Sequence, residues 1–245
     1  MGDLRLTRRR LLFTTAPGVL GITVLAGCTS DNPDTPATPP PSPVPAASGA
    51  VAGDWRRVAM AAVSAYILVR GAEVAIVDLG LPGSANAIEE GLKSAGADWR
   101  SVKHIVLTHQ HQDHVGGLPE IGPKVNAAIY AGEGDLASII AEKELKPLKD
   151  GDELFGMRIV NTPGHTLGHI SLFEPATGIL VAGDALRTEA GLTGSNPEFT
   201  ADEAQANASV RKLAELDVKA ILCGHGTPLT AGAGAALKQL AASLS

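Results

Sequence analysis

The chain has 245 residues, of which 44% are hydrophobic but only 3% are aromatic, and its formal net charge is −6. This length is enough for one hydrophobic core, built mainly from Ala, Val, Leu and Ile, and is short for two. The acidic balance gives no basic surface for nucleic acid, so we expect no nucleic-acid partner.

Residues 1–27 have the pattern of an export signal. Four arginines between Arg5 and Arg10 precede a mostly apolar run from Leu11 to Ala26. Proline and glycine break this run, and it is shorter than the roughly 20 residues of a membrane-spanning helix, which favours a signal peptide over a retained anchor. The adjacent arginines also resemble a twin-arginine signal, so the general and the twin-arginine export routes both stay open.

The end of this segment, Leu25-Ala26-Gly27-Cys28, resembles a bacterial lipobox. In such a signal the cysteine is lipidated and becomes the first mature residue. We therefore expect an exported protein that is anchored through Cys28 to the outer face of the bacterial cell membrane. A plain signal peptide or an uncleaved anchor is the alternative. Lipidation of Cys28 would leave Cys223 as the only other cysteine, and we expect that residue to be a small buried apolar group.

Residues 28–50, which begin with the cysteine expected to be lipidated, are predicted to form a linker. Seven of the 16 prolines of the chain lie between Pro33 and Pro45. Proline fixes φ and removes a hydrogen-bond donor, so a segment this rich in proline stays extended.

Residues 51–245 are predicted to form one domain in which strands and helices alternate. Apolar runs indicate strands at 65–69, 74–78, 104–108, 127–130, 157–160, 170–173, 179–182 and 220–222. Helical spacing indicates one helix after Ser84, another opened by a capping box from Thr200 to Glu203, and a last one with Leu237 and Leu240 on one face. Because two hairpins are mixed in, the pattern predicts α/β layers with a mixed sheet.

The segment Thr108-His109-Gln110-His111-Gln112-Asp113-His114 carries the main functional signal of the chain. A strand would point position 114 away from 109, 111 and 113, and a helix would scatter the four around its axis. We therefore expect a loop that leaves a strand at Thr108, turns into a helix, and wraps its ligands around one or two metal ions. The alternative is a polar surface loop, which seldom concentrates three histidines.

Three further ligand-type residues each follow a glycine at a strand end or turn, namely His165, Asp184 and His225. Glycine allows the backbone to bend sharply there, and open α/β sheets bind ligands at strand ends. Each signal is weak alone, but together they predict one metal site with seven ligands: His109, His111, Asp113, His114, His165, Asp184 and His225. Imidazole and carboxylate ligands suit zinc, with iron or manganese as alternatives.

On these residues and their order, together with Leu79-Gly80 after Asp78, the chain resembles the metallo-beta-lactamase superfamily over about residues 55–245. The resemblance implies a four-layer αβ/βα sandwich with two mixed β-sheets. It implies that His109, His111 and His165 bind one divalent metal ion. It also implies that Asp113, His114 and His225 bind a second ion, with Asp184 as the bridge.

The resemblance implies a hydrolase that uses a metal-bridging hydroxide, with Asp113 and Asp184 as its catalytic residues. Zinc can lower the pKa of bound water from about 15.7 to near 7. We hypothesise that Asp113 shuttles a proton to the leaving group. Beta-lactamases of the family carry Cys or Ser at the position of Asp184, so we expect a small ester, thioester or lactone as substrate instead. Only 20 residues follow His225, which disfavours the glutathione thioester of the helically extended hydroxyacylglutathione hydrolases.

Two other functions stay open. A mononuclear iron oxygenase of the persulfide dioxygenase type resembles this fold and would use His109, His165 and Asp184. A lipoprotein that stores or senses zinc would need the same ligands in a closed site, whereas a catalytic site keeps an open coordination position.

Several residues outside the ligand set receive smaller predictions. His169 lies either beside the ligands or at the start of a strand with a structural role, and His104 is predicted to be structural. The connection 185–199 and the segment 60–63 are candidates for the walls of a substrate pocket, with ordinary surface loops as the alternative.

Overall fold

The computed structural model describes residues 47–244, so the predicted signal peptide and all but the last four residues of the predicted linker lie outside the described residues. The first strand begins at Gly49, two residues before the predicted start of the domain. Among residues 47–244, no helix combines the length and the apolar character that crossing a membrane requires.

The first sheet has seven strands that are neighbours in chain order. They are β1 (Gly49–Ala52), β2 (Trp55–Met60), β3 (Val63–Arg70), β4 (Glu73–Val77), β5 (Val102–Leu107), β6 (Ala128–Gly132) and β7 (Leu145–Leu148). The first four pair antiparallel, and β4 to β7 pair parallel. The parallel half therefore places the ends of β4, β5 and β6 at one edge of the sheet.

The second sheet has five strands. In chain order they are β8 (Glu153–Leu154), β9 (Met157–Asn161), β10 (Ile170–Glu174), β11 (Ile179–Gly183) and β14 (Ala220–Cys223). Strand β14 pairs parallel with β11, and the other pairs are antiparallel. A separate two-stranded ribbon consists of β12 (Leu186–Arg187) and β13 (Thr193–Gly194).

Within residues 47–244, five α-helices complete the fold. They are α1 (Ala85–Ser94), α2 (Gln112–Val115), α3 (Leu118–Ile121), α4 (Glu203–Ala214) and α5 (Ala233–Ser243). On α1 the buried Ile88 and Leu92 lie one helical turn apart and face the first sheet. On α4 the buried Val210 and Leu213 face the second sheet.

The core consists of three packed interfaces, which makes the fold a four-layer αβ/βα sandwich. Strand β3 shows how the sequence builds it, since its side chains alternate between the two faces of the sheet. Ala65 and Ile67 pack with α1 on the outer face. Tyr66 and Leu68 pack between the sheets against Ile159, Leu172 and others of the second sheet. A third cluster joins the second sheet to α4 and α5.

These observations confirm the predicted α/β class, the two mixed sheets and the aliphatic core. All eight predicted strands and all three predicted helices are present, with bounds that shift by up to two residues. Six strands were not predicted, namely β1, β2, β7, β8, β12 and β13. Charged residues interrupt the apolar runs of β2 and β7, and the other four strands have no more than four residues each. The buried aromatic residues Trp55, Tyr66 and Phe173 are exceptions to the aliphatic core.

The predicted capping box at Thr200 is wrong in its register. The N-cap of α4 is Asp202, whose carboxylate accepts a hydrogen bond from the Gln205 N–H at 3.0 Å. The Thr200 hydroxyl is engaged elsewhere, since it donates to the Asn196 carbonyl and contacts the Ser195 hydroxyl at 2.6 Å each. The start of α4 is therefore two residues later than the sequence pattern suggested.

Two backbone hydrogen bonds join the sheets at one edge. The Ser64 N–H donates to the Gly224 carbonyl, and the Ile170 N–H donates to the Thr108 carbonyl, each at 2.9 Å. This edge carries the ends of β5, β11 and β14, after which the predicted metal ligands follow.

The carboxylate of Glu174 joins the sheets at the opposite edge. It is buried and accepts hydrogen bonds from the Trp55 indole at 3.0 Å, from the Thr177 hydroxyl at 2.5 Å and from the Arg70 guanidinium. Trp55 begins β2, Arg70 ends β3 and Glu174 ends β10. One buried charge thus fixes how the two sheets meet far from the ligand loops.

We predict that Glu174→Gln lowers the free energy of unfolding by about 2–4 kcal/mol. The neutral amide loses the charge-assisted hydrogen bonds, and its NH2 group faces one of the surrounding N–H or O–H donors. Urea unfolding measures this change. The exposed Glu144→Gln is the matched control, expected to change stability by less than about 0.5 kcal/mol. Equal stabilities of the two variants would contradict the assigned role of Glu174.

Candidate metal centre

The seven predicted ligand residues lie on four connections that leave the edge where the sheets meet. His109 and His111 lie in the loop after β5, and Asp113 and His114 lie in the short helix α2 that follows. This is the strand, loop and helix order that the sequence predicted. His165 lies between β9 and β10, Asp184 directly follows β11, and His225 lies two residues after β14.

The structure brings all seven side chains together in three overlapping groups of ligand atoms. Within each group the ligand atoms lie within 4.8 Å of one another. The groups are His109, His111 and His165; His109, His114 and Asp184; and Asp113, His114 and His225. The first and the third are the two sets that the family resemblance implied.

The carboxylate of Asp184 lies between these two sets. Its Oδ1 is 3.3 Å from Nε2 of His114. Its Oδ2 is 3.5 Å from Nε2 of His165 and 3.2 Å from Nε2 of His225. Because the two oxygens face different histidines, one carboxylate can contribute a ligand atom on either side.

Four of the five ligand histidines have their far ring nitrogen held by a protein group. Nδ1 of His225 lies 2.8 Å from the Ala62 carbonyl, which can only accept, so this nitrogen carries the proton. Nδ1 of His114 lies 2.8 Å from the Asp78 carboxylate. The Thr108 hydroxyl contacts Nδ1 of His109 at 3.0 Å, and the Ser195 hydroxyl contacts Nδ1 of His165 at 2.8 Å. These contacts turn each Nε2 toward the other ligand residues, where Nε2 of His165 lies 2.9 Å from Nδ1 of His111 and Nε2 of His225 lies 3.2 Å from the Asp113 carboxylate.

Asp78 organises the loop after β5 as well as the His114 ring. This buried residue has a left-handed backbone with φ of 60°. Its carboxylate accepts hydrogen bonds from the Thr108 N–H and hydroxyl, both at 2.8 Å. Because the Thr108 hydroxyl donates its proton to Asp78, its oxygen accepts a hydrogen bond from Nδ1–H of His109. One carboxylate therefore orients a histidine of each set.

Asp135 ties together the loops that carry the first histidine set. It is buried in the 3₁₀ helix Glu133–Ser138. Its carboxylate accepts from the Gln110 N–H at 3.0 Å, and from the Thr166 hydroxyl and the Gly168 N–H at 2.6 and 2.7 Å. Gln110 lies between two ligands and Thr166 follows a third, so these loops are held in a common frame.

His169 positions Asp184, so it lies beside the ligands, and it also directly precedes strand β10. Its Nε2 accepts from the Asp184 N–H at 3.0 Å, and its Nδ1 lies 2.8 Å from the Thr162 hydroxyl. The preceding Gly183 has φ of +53°, and a Cβ there would lie 2.7 Å from the His169 ring. A side chain at Gly224 would lie 2.3 Å from the Asp184 carboxylate, so both strand ends require glycine.

The β2–β3 hairpin holds the His225 loop. Besides the Ala62 contact with His225, the buried Arg57 donates to the Gly226 carbonyl at 2.8 Å and to the Ser64 hydroxyl at 2.8 Å. The segment 60–63, predicted as a pocket wall, therefore supports a ligand, and it is not among the described residues that line the cavity.

The electrostatics divides the histidines into two classes. Burial lowers the pKa of His109 well below its usual range and that of His165 to about 4, so both rings are neutral, as metal ligands must be. Burial also opposes charge on His114, but the Asp184 and Asp78 carboxylates outweigh it and raise the pKa. Burial likewise opposes charge on His225, yet its hydrogen bonds with Asp113 and Asp184 raise the pKa to about 10. A cation that binds here takes the place of these protons.

The donor set fits divalent metal ions. Apart from the 3.3 Å approach of Nε2 of His114 to Oδ1 of Asp184, these two buried atoms and Nε2 of His109 have no hydrogen-bond partner in the described part of the chain. Buried polar atoms are rarely left unpaired unless an ion or water satisfies them. Imidazole nitrogens and carboxylate oxygens are the ligands that zinc, iron and manganese accept.

A cavity of about 530 Å³ opens directly onto this cluster. Five ligand residues line it: His111, Asp113, His165, Asp184 and His225. The connection 185–199 forms another wall through Arg187, Glu189, Asn196 and Phe199, as predicted. The volume is in the range of small-molecule sites.

Sequence reasoning missed the residues that orient the ligands. Asp78 follows an apolar run in the same way as Asp184, so its place at a strand end was a usable signal. Asp135 and Ser195 lie in polar segments that give no such signal. The other smaller predictions agree with the structure: Cys223 is fully buried, and His104 packs against Tyr130 and Phe155 away from the cluster.

The family model that describes the metallo-beta-lactamase superfamily matches residues 60–225. Among characterised and uncharacterised relatives, the chain is 29% identical over 200 residues to the probable metallo-hydrolase YflN of Bacillus subtilis strain 168, which covers 63% of this chain and 76% of that protein. It is 36% identical over 157 residues to the hydroxyacylglutathione hydrolase of Pseudomonas aeruginosa strain LESB58. That match covers 62% of this chain but only 56% of the hydrolase.

Solved structures give the same likeness. A metallo-beta-lactamase family protein from Thermus thermophilus is 25% identical, with a TM-score of 0.62 over 77% of this chain and 76% of the other. The metallo-beta-lactamase SMB-1, in a complex with mercaptoacetic acid, has a TM-score of 0.65 over 81% and 94% of the two chains. It is only 17% identical, so this likeness shows the fold alone.

We predict that Asp78→Asn weakens zinc binding about 10- to 100-fold, because the amide keeps an acceptor for Thr108 but removes the charge that orients His114. Competition with a chromophoric chelator measures the affinity. The exposed Asp217→Asn is the control and leaves the affinity unchanged. A folded Asp78 variant with the original affinity would show that the carboxylate does not support the ligands.

Proposed function

The chain belongs to the metallo-beta-lactamase superfamily, and we propose that it is a dinuclear metallohydrolase that cleaves a small ester, thioester or lactone. The observation that carries this proposal is the position of the cavity. It opens onto five of the seven ligand residues, whereas a site that stores zinc would be closed.

Two ions would be held by different parts of the cluster. His109, His111 and His165 would hold one of them. Asp113, His114 and His225 would hold the other, and Asp184, whose two oxygens face different histidines, would contact both. When bound, such ions supply a hydroxide nucleophile at neutral pH and polarise the oxygen of the bond that is attacked.

The protein itself contributes orientation and proton transfer. Asp113 lies at the cavity with about a third of its side chain exposed. The hydrogen bond from Nε2 of His225, at 3.2 Å, lowers the pKa of Asp113 and keeps it ionised. Oδ2 of Asp113 is therefore an acceptor at the cavity, able to take a proton and pass it to the leaving group.

The substrate class rests on Asp184 and on the relatives. A carboxylate at this position is the pattern of the thioesterases, lactonases and phosphodiesterases that the family resemblance implies, and beta-lactamases differ there. The Pseudomonas relative is named as a hydrolase of hydroxyacylglutathione, which supports an acyl substrate here. The structural neighbours named as beta-lactamases share too little sequence to carry their substrate over.

The cellular location is part of the same proposal. We propose that the enzyme is exported and anchored by lipid on Cys28 at the outer face of the cell membrane, with residues 28–50 as a spacer. The support is the signal and lipobox pattern of residues 1–28, which lie outside the described residues.

Elemental analysis of the purified protein, combined with a panel of thioester, lactone and phosphodiester substrates, tests the proposal. We expect about two zinc ions per chain and hydrolysis of an acyl substrate that a chelator abolishes. One iron per chain with oxygen uptake and no hydrolysis would instead identify an oxygenase. Tightly bound zinc without any turnover would identify a storage protein.

We predict that Asp113→Asn lowers kcat by about 10²- to 10⁴-fold, while KM changes far less, because a proton acceptor acts in the reaction and not in substrate binding. The metal content of the variant is measured alongside, since Asp113 is also a proposed ligand. Equal losses in turnover and in substrate affinity, at full metal content, would rule out the proton shuttle.

A further inference from the structure

Large apolar side chains are exposed mainly at the edge of the sheets that carries the candidate metal centre, which we call the ligand edge. Among residues 47–244, four such side chains are exposed, namely Leu81 (43%), Ile140 (91%), Leu167 (72%) and Phe199 (59%). Three of them lie at the ligand edge, since Leu81 follows β4, Leu167 lies between β9 and β10, and Phe199 lines the cavity. Single exposed apolar residues are ordinary, whereas a group of them at one edge indicates an interaction surface.

The tip of the β2–β3 hairpin adds apolar surface to the same edge. Its turn residues Ala61 and Ala62 are exposed. Ala61 has φ of 45°, a backbone conformation that Gly, Asn or Asp adopts with less strain and that such polar or flexible residues usually fill in a hairpin turn. The Ala62 carbonyl contacts His225, which lines the cavity. An apolar tip therefore lies beside the mouth of the cavity.

The exposed apolar residues form two groups beside the cavity. The hairpin tip adjoins the connection that carries Leu81, because a Cβ at Gly80 would lie 2.7 Å from Cε of Met60. Leu167 and Phe199 lie on two segments that a backbone hydrogen bond of 3.1 Å joins, from the N–H of residue 201 to the carbonyl of residue 165. We call these residues together the apolar rim: Met60, Ala61, Ala62, Leu81, Leu167 and Phe199.

The chain enters the domain at the ligand edge. The Ala59 N–H donates to the Ser48 hydroxyl at 2.9 Å, and β1 runs antiparallel to β2. Strand β2 begins with Trp55 at the far edge and ends with Met60 at the ligand edge, so β1 begins on the side of the ligand edge. The predicted linker that follows Cys28 therefore joins the domain on the side of the apolar rim.

We propose that the apolar rim docks on the surface of a lipid bilayer and turns the cavity toward the membrane. This inference rests on the proposed lipid anchor at Cys28. Apolar side chains at the surface of a protein bind a bilayer by entering the boundary between headgroups and acyl chains. The rim is small, but a tether raises the concentration of the domain at the membrane to about the millimolar range, so a weak contact is enough to orient it.

The charge of the ligand edge selects the kind of lipid surface. The exposed Glu120 accepts a hydrogen bond from the Gly83 N–H at 2.6 Å, two residues after Leu81. The exposed Glu198 directly precedes Phe199. Carboxylates beside the rim are repelled by anionic headgroups. The surface that fits is therefore zwitterionic lipid, bound through apolar contact.

Fluorescence quenching on phosphatidylcholine vesicles tests this orientation. The full chain is produced in a bacterial host that exports it, and is then reconstituted into the vesicles. Ala62→Cys carries one environment-sensitive fluorophore, since Cys223 is buried. The matched control is Ala176→Cys, in the exposed turn between β10 and β11 at the far edge. Lipid with a nitroxide near its headgroup should quench the Ala62 label at least about twofold and leave the Ala176 label within about 10%. Equal quenching at both positions, or none at either, would overturn the proposal.

Variants of the rim test which side chains make the contact. Leu167→Ser and Phe199→Ser together should reduce the quenching of the Ala62 label by about half or more, because the rim loses two apolar side chains. Ile140→Ser is the matched control and leaves the quenching unchanged, since Ile140 lies on the connection before β7, in a separate cavity with Ile129. The quenching should also persist in about 1 M salt, which screens contacts between charges. If the doubly substituted protein, shown by circular dichroism to be folded, is quenched as strongly as the Ile140 variant, the rim does not dock.

Mass spectrometry of Cys28 separates this inference from the proposed anchor, and the quenching requires no turnover, so it is independent of the proposed reaction. If Cys28 carries lipid but the two labels are quenched alike, the anchor stands and the docking surface is refuted. If Cys28 carries no lipid, the labels are compared on a Cys28→Ser background. Quenching of the Ala62 label alone then leaves the docking surface standing without the anchor, and no quenching refutes both.

Discussion

The carboxylate of Asp184 contacts histidines of both sets, so the arrangement of the whole cluster depends on where this one side chain is held. Three features fix it without contributing a ligand atom. His169 accepts the Asp184 N–H, Gly183 takes a left-handed turn at the end of β11, and Gly224 leaves no atom where a side chain would meet the carboxylate. A change at these strand ends therefore reaches the ligands directly, even though none of the three residues belongs to the cluster.

The two sheets meet through polar contacts at both edges, and the contacts differ in kind. At the ligand edge, backbone hydrogen bonds of Ser64 and Ile170 leave the surrounding side chains free for the site. At the far edge, the buried carboxylate of Glu174 accepts hydrogen bonds from side chains of β2 and β3. The ligand edge therefore joins the sheets through backbone groups, and the far edge joins them through side chains.

The ligand residues differ in their exposure to the cavity, and this difference decides which side of the cluster a substrate can reach. Asp113 and His225 are partly exposed, whereas His109 and His114 are fully buried. The cluster thus presents one side to incoming molecules and keeps the other dry, which strengthens electrostatic interactions there. Arg187 adds a positive group, and Phe199 an apolar surface, to the wall of the same cavity.

The sequence by itself determined the α/β class, most strands and helices, and all seven side chains of the cluster, because these depend on local patterns: apolar runs, helical spacing, and ligand residues after glycine at strand ends. The division into two sheets with four layers was available only through the family resemblance. Only the tertiary structure decided which residues orient the ligands. Asp78 and Thr108 are 30 residues apart, as are Ser195 and His165, and Asp135 and Thr166 are 31 apart. Contacts across such distances arise when strand ends are brought together by packing, and they leave no periodic trace in the chain.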